Sequence, residues 1–191
     1  MLSMDVISNL GVILGGSWAS GINLYLTIVV LGIANKVGAI SLPGNLDVIS
    51  NPIVIFVALL LFCIEFFADK IPFVDSAWDS IHTFIRPGGA AFMAFAAFAG
   101  SSQEAQISLA LLSGAVAMDA HLTKATTRIA INSSPEPFTN IIASVSEDTM
   151  VLGALWLVAT HPIIAGVLVI SFMVFSVWFF KVMFSLLKKV F

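Results

Sequence analysis

Long apolar runs recur along the chain, and most polar residues fall in short gaps between them. The clearest runs cover residues 10–34, 53–68 (interrupted only by Glu65) and 162–180, which carries no charge before Lys181. About 20 apolar residues cross a bilayer core as a helix. Six helices of roughly 20 to 28 residues, with short connections, account for the whole chain. The pattern predicts an all-α, polytopic integral membrane protein with about six transmembrane helices, a single domain over residues 1–191. The amino-terminal stretch has no basic n-region and no small-residue cleavage site, so it reads as the first span and not a removed signal.

Composition sharpens this picture. With 59% apolar and 10% charged residues there is no room for a soluble module. The net charge of −3 and the scattered basic residues give no nucleic-acid-binding surface. The lone Cys63 excludes an intramolecular disulfide and argues against a cysteine metal centre. Neither a metal nor a cofactor is implied. In a six-span arrangement Lys70, Lys188 and Lys189 fall on one side, with Arg128 near that face, and Lys36 on the other. The positive-inside bias then places both termini in the cytoplasm.

The two halves resemble each other. Leu14-Gly15-Gly16-Ser17-Trp18-Ala19 aligns with Leu112-Ser113-Gly114-Ala115-Val116-Ala117, which sets Asn23-Leu24 on His121-Leu122. Asn51-Pro52 and Glu136-Pro137 each open a second helix, and Pro72 and Pro162 each open a third, where proline's missing N–H costs nothing. The expected plan is two three-helix repeats, about 1–100 and 104–191. Three helices is an odd number, so the copies would be inverted, as in many secondary transporters.

Several charges fall inside the apolar runs, where each costs at least a few kcal/mol unless it faces a protein-lined cavity. The first helix carries Gly11, Gly15 and Gly16, a face suited to close packing within the chain or in a homo-oligomer, or to a break near Gly15-Gly16. Beyond it, Asn23, Tyr25 and Thr27 are the polar side chains of note. The second helix ends in Glu65 and Asp69, one turn apart, with Lys70 reaching for the interface. In the third, steps of four, three and four put Asp75, Asp79, His82 and Arg86 on one stripe about 60° wide. That segment either lies on the membrane surface or descends with its charges inward, and Pro87-Gly88-Gly89 is expected to kink it. The stripe mixes signs and has one Arg, whereas surface-seeking helices favour several Lys and Arg.

The fourth helix sets Gln106, Ala110, Ser113, Ala117, His121, Lys124 and Arg128 on one side, with Asp119 roughly opposite. Small residues leading to basic ones suggest a wall of a solvated passage. In the fifth, after the prolyl turn at 132–137, Asn140, Ser144 and Glu147 share a face with Asp148 at its edge, a natural counterpart to the basic stripe. Two adjacent acids in low dielectric do not both ionise easily, which suggests that one carries a proton. The sixth helix reads as a lipid-facing span with a lysine anchor.

Glu65-Phe66-Phe67-Ala68-Asp69-Lys70-Ile71-Pro72, Trp78-Asp79-Ser80-Ile81-His82-Thr83-Phe84-Ile85-Arg86, Thr123-Lys124-Ala125-Thr126-Thr127-Arg128 and Ile131-Asn132-Ser133-Ser134-Pro135-Glu136-Pro137-Phe138 resemble a family of small bacterial membrane proteins, domain of unknown function 4126. The resemblance covers nearly the whole chain. It implies a polytopic helical protein of the bacterial inner membrane and carries no activity with it. One departure is local: Arg86 runs straight into Pro87, where relatives have an extra apolar residue. A weaker resemblance, of architecture only, is to cation exchangers built from paired three-helix repeats with Glu-x-Gly-Asp-Lys-type motifs, of which Glu65, Asp69 and Lys70 form a version one residue too long.

Three functions follow as expectations. The first is a small transporter or channel whose partners are the lipid bilayer and a small ion or solute. His121, Lys124 and Arg128 suit an anionic or phosphate-bearing solute, the carboxylates suit a cation or proton coupling, and composition leaves the sign open. The second is a structural or assembly subunit, since polar contacts in membranes contribute only about 0.6 kcal/mol each. The third is an intramembrane enzyme acting on lipid through Asp75, Asp79 and His82, although no metalloprotease motif or nucleophile elbow is present.

Overall fold

The computed structural model describes residues 4–133 and 137–190. The turn at 134–136 and the side chains of Lys188 and Lys189 lie outside the described residues. Within them the chain forms seven α-helices: α1 (Met4–Ile22), α2 (Leu24–Lys36), α3 (Pro52–Ala68), α4 (Pro72–Ala97), α5 (Gln103–Asn132), α6 (Pro137–Thr160) and α7 (Pro162–Val190), with a short 3-10 helix at Leu46–Ser50. Proline at the first positions of α3 and α4 starts each helix without loss of a hydrogen bond. Side-chain caps do the rest: Asn51 Oδ1 accepts from Ile53 N at 2.9 Å and Ser102 Oγ from Ala105 N at 3.3 Å.

Among the described residues, three helices are long and apolar enough to cross a membrane: Gln103–Asn132, Phe138–Thr160 and Pro162–Ser185. Leu24–Lys36 and Pro52–Ala68 are shorter apolar helices. The distribution of side chains inverts that of a water-soluble protein. Phe73 and Phe84 are 89% and 79% exposed, whereas Arg86, Arg128, His82, His121 and Glu65 are the largest fully buried side chains. An apolar exterior around a charged interior is stable in lipid, not in water.

Two expectations change. The first span is not one helix, and its glycine cluster is not where it breaks. Gly15 and Gly16 stay helical, and the interruption falls at Asn23, whose extended backbone (φ −148°, ψ 97°) separates α1 from α2. Conversely, Pro87-Gly88-Gly89 does not interrupt α4, which runs continuously to Ala97. Proline removes one backbone bond there, but α4 packs along α5 more extensively than any other pair of helices, and α5 holds it on both sides of Pro87. The same packing turns Asp75, Asp79, His82 and Arg86 inward and Phe73, Phe84 and Ile85 outward. The surface-lying arrangement of this segment is therefore ruled out.

α1 is central and touches α4, α5, α6 and α7. Close approach requires glycine at particular points. A Cβ at Gly11 would collide with the Pro162 carbonyl of α7, and one at Gly15 with the Val158 side chain of α6. At Gly21 it would collide with the Ala117 carbonyl oxygen of α5 and stand 2.9 Å from the Ala117 Cα. Gly16 differs from its neighbours: a Cβ there meets nothing within 4 Å, because Gly16 lines a cavity and not a helix contact. We expect Gly21→Ala to destabilise the folded state by about 1–3 kcal/mol through overpacking. Gly16→Ala should be neutral or stabilising by up to about 1 kcal/mol. Thermal unfolding of both variants in detergent checks the contrast.

Candidate functional site

The site is built around the break at Asn23. In an unbroken helix the N–H groups of residues 24–26 would bond the carbonyls of residues 20–22. Instead Asn23 Oδ1 takes the Leu26 N–H at 2.9 Å, which caps α2. The carbonyl end of α1, its negative pole, is thereby released toward cationic side chains. Arg86 Nη1 lies 3.4 Å from Gly21 O, and Lys124 Nζ 3.4 Å from Ile22 O. The Asn23 side-chain amide donates to Asp148 Oδ1 of α6 at 3.0 Å.

Around this break, charged groups from α3, α4, α5 and α6 interlock. Arg86 Nη2 donates to Glu65 Oε1 at 2.6 Å, and Nη1 stands 3.3 Å from Asp79 Oδ1. Lys124 Nζ lies 3.2 Å from Asp69 Oδ2, 3.3 Å from Glu147 Oε2 and 3.8 Å from Glu65 Oε1. Arg128 grips Glu147 with two hydrogen bonds, Nε to Oε1 at 2.9 Å and Nη2 to Oε2 at 2.8 Å. This planar fork is the geometry that guanidinium supplies and lysine does not. Arg128 Nη1 also donates to Asn140 Oδ1 at 2.9 Å and reaches the Asp69 carbonyl at 3.3 Å. Asp75 Oδ2 accepts from Asn132 at 2.6 Å, and its Oδ1 stands 4.0 Å from Arg128.

Two histidines link into this network, and His121 does so as a neutral ring. Arg86 Nη1 can only donate, so at 2.8 Å His121 Nδ1 accepts, and the ring proton sits on Nε2, facing Thr83 Oγ1 at 3.0 Å. His82 Nδ1 donates to the Trp78 carbonyl at 2.8 Å, and its Nε2 shares a hydrogen bond of 2.9 Å with the Tyr25 hydroxyl. His121 therefore does not add a third positive charge to Lys124 and Arg128.

The charges do not balance. Among the described residues, Glu65, Asp69, Asp75, Asp79, Glu147 and Asp148 stand in or beside the network, against Arg86, Lys124 and Arg128. Lys70 sits at the rim, its Nζ 3.1 Å from the Phe66 ring centroid, and does not close the gap. Both carboxylate oxygens of Asp79, Oδ1 of Asp75, Oε2 of Glu65 and Oδ1 of Asp69 are buried without a hydrogen-bond partner. Buried anions in such an excess require protons or cations. No three His, Cys, Asp or Glu side chains among the described residues are spaced to hold a metal ion.

Not every residue singled out in the sequence comes to this centre. Asp119 lies on the other side of α5 and accepts from Ser176 of α7 at 2.8 Å. The polar residues that sequence reasoning left out of the site are Asn23, Tyr25, Thr83 and Asn132. The signal for Asn23 was present: an amide inside an apolar run, aligned with His121. A cavity of about 460 Å³ lies along the α1–α4 contact and the loop before the 3-10 helix. It includes Ser17 and Ala90, each one turn from Gly21 and Arg86, but no charged residue. A second, apolar cavity of about 350 Å³ between α1, α6 and α7 is lined by Gly15, Trp18 and Phe172.

The fold and site define a helical membrane protein whose interior carries an interlocked network of charge. The chain belongs to the family described as Domain of unknown function (DUF4126), whose model matches residues 10–182. Comparison with curated proteins and with solved structures finds no match.

Breaking a buried pair leaves an uncompensated charge. Arg86→Ala is expected to cost about 3–5 kcal/mol of stability. Glu65→Gln added to it should restore a substantial part, which a double-mutant cycle of unfolding in detergent measures.

Proposed function

We propose that the protein is a small membrane transporter or channel that moves a small cation through its charged interior, coupled to protons. The observation that carries this is the convergence of charged side chains from four helices on a broken helix, with carboxylates in excess. Discontinuous helices whose freed carbonyls coordinate cations are a recurring device of transporters. The excess of acid favours a cation over the anionic solute that His121, Lys124 and Arg128 suggest from sequence. Lys124 and Arg128 are already engaged by carboxylates, and His121 is neutral.

The architecture we infer is six spans, with α1 and α2 forming one interrupted span, in two inverted three-helix repeats. Packing supports it: α4, third in the first half, packs on α5, first in the second, and α7 packs on α1 in the same exchanged manner. We place the protein in the bacterial inner membrane, and its lysine distribution supports an orientation with both termini cytoplasmic. The cavity that stops one turn short of Gly21 and Arg86 fits a vestibule open to one side of the membrane.

A structural or assembly role is the second reading, favoured by the carboxylate partner that each of Arg86, Lys124 and Arg128 already has. The lipid-enzyme reading gains nothing: both ring nitrogens of His82 and of His121 are occupied, leaving neither as an open acid or base.

Reconstitution in liposomes tests the proposal. Alkali-cation or ammonium uptake should accelerate under an opposing proton gradient, and Asp79→Asn should slow it at least about tenfold, ~1.4 kcal/mol on the barrier. Absence of flux for every small cation and anion tried would overturn transport in favour of the structural role, and turnover of bilayer lipid would favour the enzyme.

A further inference from the structure

We propose that Asp119 and Ser176 form a proton-binding site within the bilayer, separate from the charged network, in which Asp119 holds a proton at neutral pH and Ser176 serves both protonation states. The inference goes beyond the transport reading and does not depend on it. Asp119 stands near the middle of α5 and Ser176 near the middle of α7. Both helices are long and apolar enough to cross a membrane. The carboxyl therefore lies at mid-depth, where an unpaired charge costs most.

No positive charge answers it. Among the described residues, no ion pair includes Asp119. On its own helix, His121, Lys124 and Arg128 turn into the network, and Glu104 is exposed in the first turn. The charged groups of α4 (Asp75, Asp79 and Arg86, with His82) and of α6 (Glu147 and Asp148) stand in or beside the network. On α7 the next charged residue is Lys181, which is exposed, and α1 carries only Asp5, at its start.

The hydrogen bonds favour an acid over a carboxylate. Ser176 Oγ lies 2.8 Å from Asp119 Oδ1 and 2.9 Å from the Met173 carbonyl oxygen, and Ser176 is 1% exposed. A hydroxyl has one proton, and a carbonyl only accepts. With Asp119 as a carboxylate, the two contacts compete for that proton. With Asp119 as an acid, Asp119 donates to Ser176 Oγ and Ser176 donates to Met173 O, so both contacts are complete. Oδ2 of Asp119 is buried without a hydrogen-bond partner, which costs more for a carboxylate than for the carbonyl oxygen of an acid. On losing its proton, Asp119 keeps Ser176 as a donor after a turn of the hydroxyl. Asp119 is itself only part-buried, which leaves the proton a route to the surface. Binding and release here leave the ion pairs of Arg86, Lys124 and Arg128 intact.

Infrared difference spectra of the wild type and Asp119→Asn in detergent at neutral pH provide the test. We expect the variant to lose a carboxylic-acid C=O band. In the wild type heavy water should shift that band, and Ser176→Ala, which removes the acceptor, should move it as well. Loss of carboxylate bands in place of the acid band would overturn the site, as would an acid band that stays unmoved in heavy water or in Ser176→Ala. Should Asp119→Asn not fold, the wild type in liposomes decides by itself. Dicyclohexylcarbodiimide adds to a protonated carboxyl: the proton goes to a reagent nitrogen, the carboxyl oxygen joins the central carbon, and nothing leaves. An adduct on Asp119 at neutral pH, read by peptide mass spectrometry, supports the site, and an unmodified Asp119 overturns it. Because no flux is measured, failure of the transport reading and failure of this site are separate results.

Discussion

A charge buried away from water must find an opposite charge or be neutralised, and this constraint organises the molecule. The three cationic side chains at its centre come from α4 and α5, while their carboxylate partners come from α3, α4 and α6. No single helix is self-sufficient. The exterior contributes little specificity, because in lipid one apolar face is as acceptable as another and packing has no hydrophobic drive to direct it. Mutual neutralisation, together with close contacts at Gly11, Gly15 and Gly21, selects one arrangement of helices from many.

The interruption at Asn23 depends on the same constraint. Freed carbonyls inside a membrane protein are costly unless something donates to them. Arg86 and Lys124 do so at the carbonyl end of α1, while at the start of α2 the Asn23 side-chain oxygen accepts from the freed Leu26 N–H. The break and the charges support each other: without the cations the carbonyls would be bare, and without the carbonyls the cations would lack part of their coordination.

Much of this was legible in the sequence, for reasons that residues make clear. Helical periodicity placed Asp75, Asp79, His82 and Arg86 on one stripe, and the cost of charge in lipid said where that stripe should point. The basic side of α5 and its acidic counterpart on α6 followed from the same spacing, and Arg128 and Glu147 meet in a two-pronged contact. The position of the helix break was not legible. Glycine content left both close packing and a break at Gly15-Gly16 open, and Gly11 and Gly15 prove to be packing contacts, because backbone freedom alone does not open a helix when neighbouring helices pack against it. A side chain able to replace a backbone bond does, and Asn23 has one. Pro87 does not end the helix, since α4 runs on through it to Ala97 along α5. The net positive appearance of His121, Lys124 and Arg128 also required coordinates to correct, because a ring nitrogen that accepts from arginine has no charge.

α3 stands apart from the other helices. Only Ala58, Glu65 and Ala68 of its residues are buried, and its packing is chiefly against α2. What ties its far end to α4 and α5 is electrostatic: Glu65 to Arg86, and Asp69 to Lys124 just beyond the helix. Neutralising those two carboxylates would remove this electrostatic tie, while the Asp69 carbonyl would still accept from Arg128. Cys63, the chain's sole thiol, is exposed two residues before Glu65, a native attachment point for a spectroscopic label that would report on the environment of this end of α3.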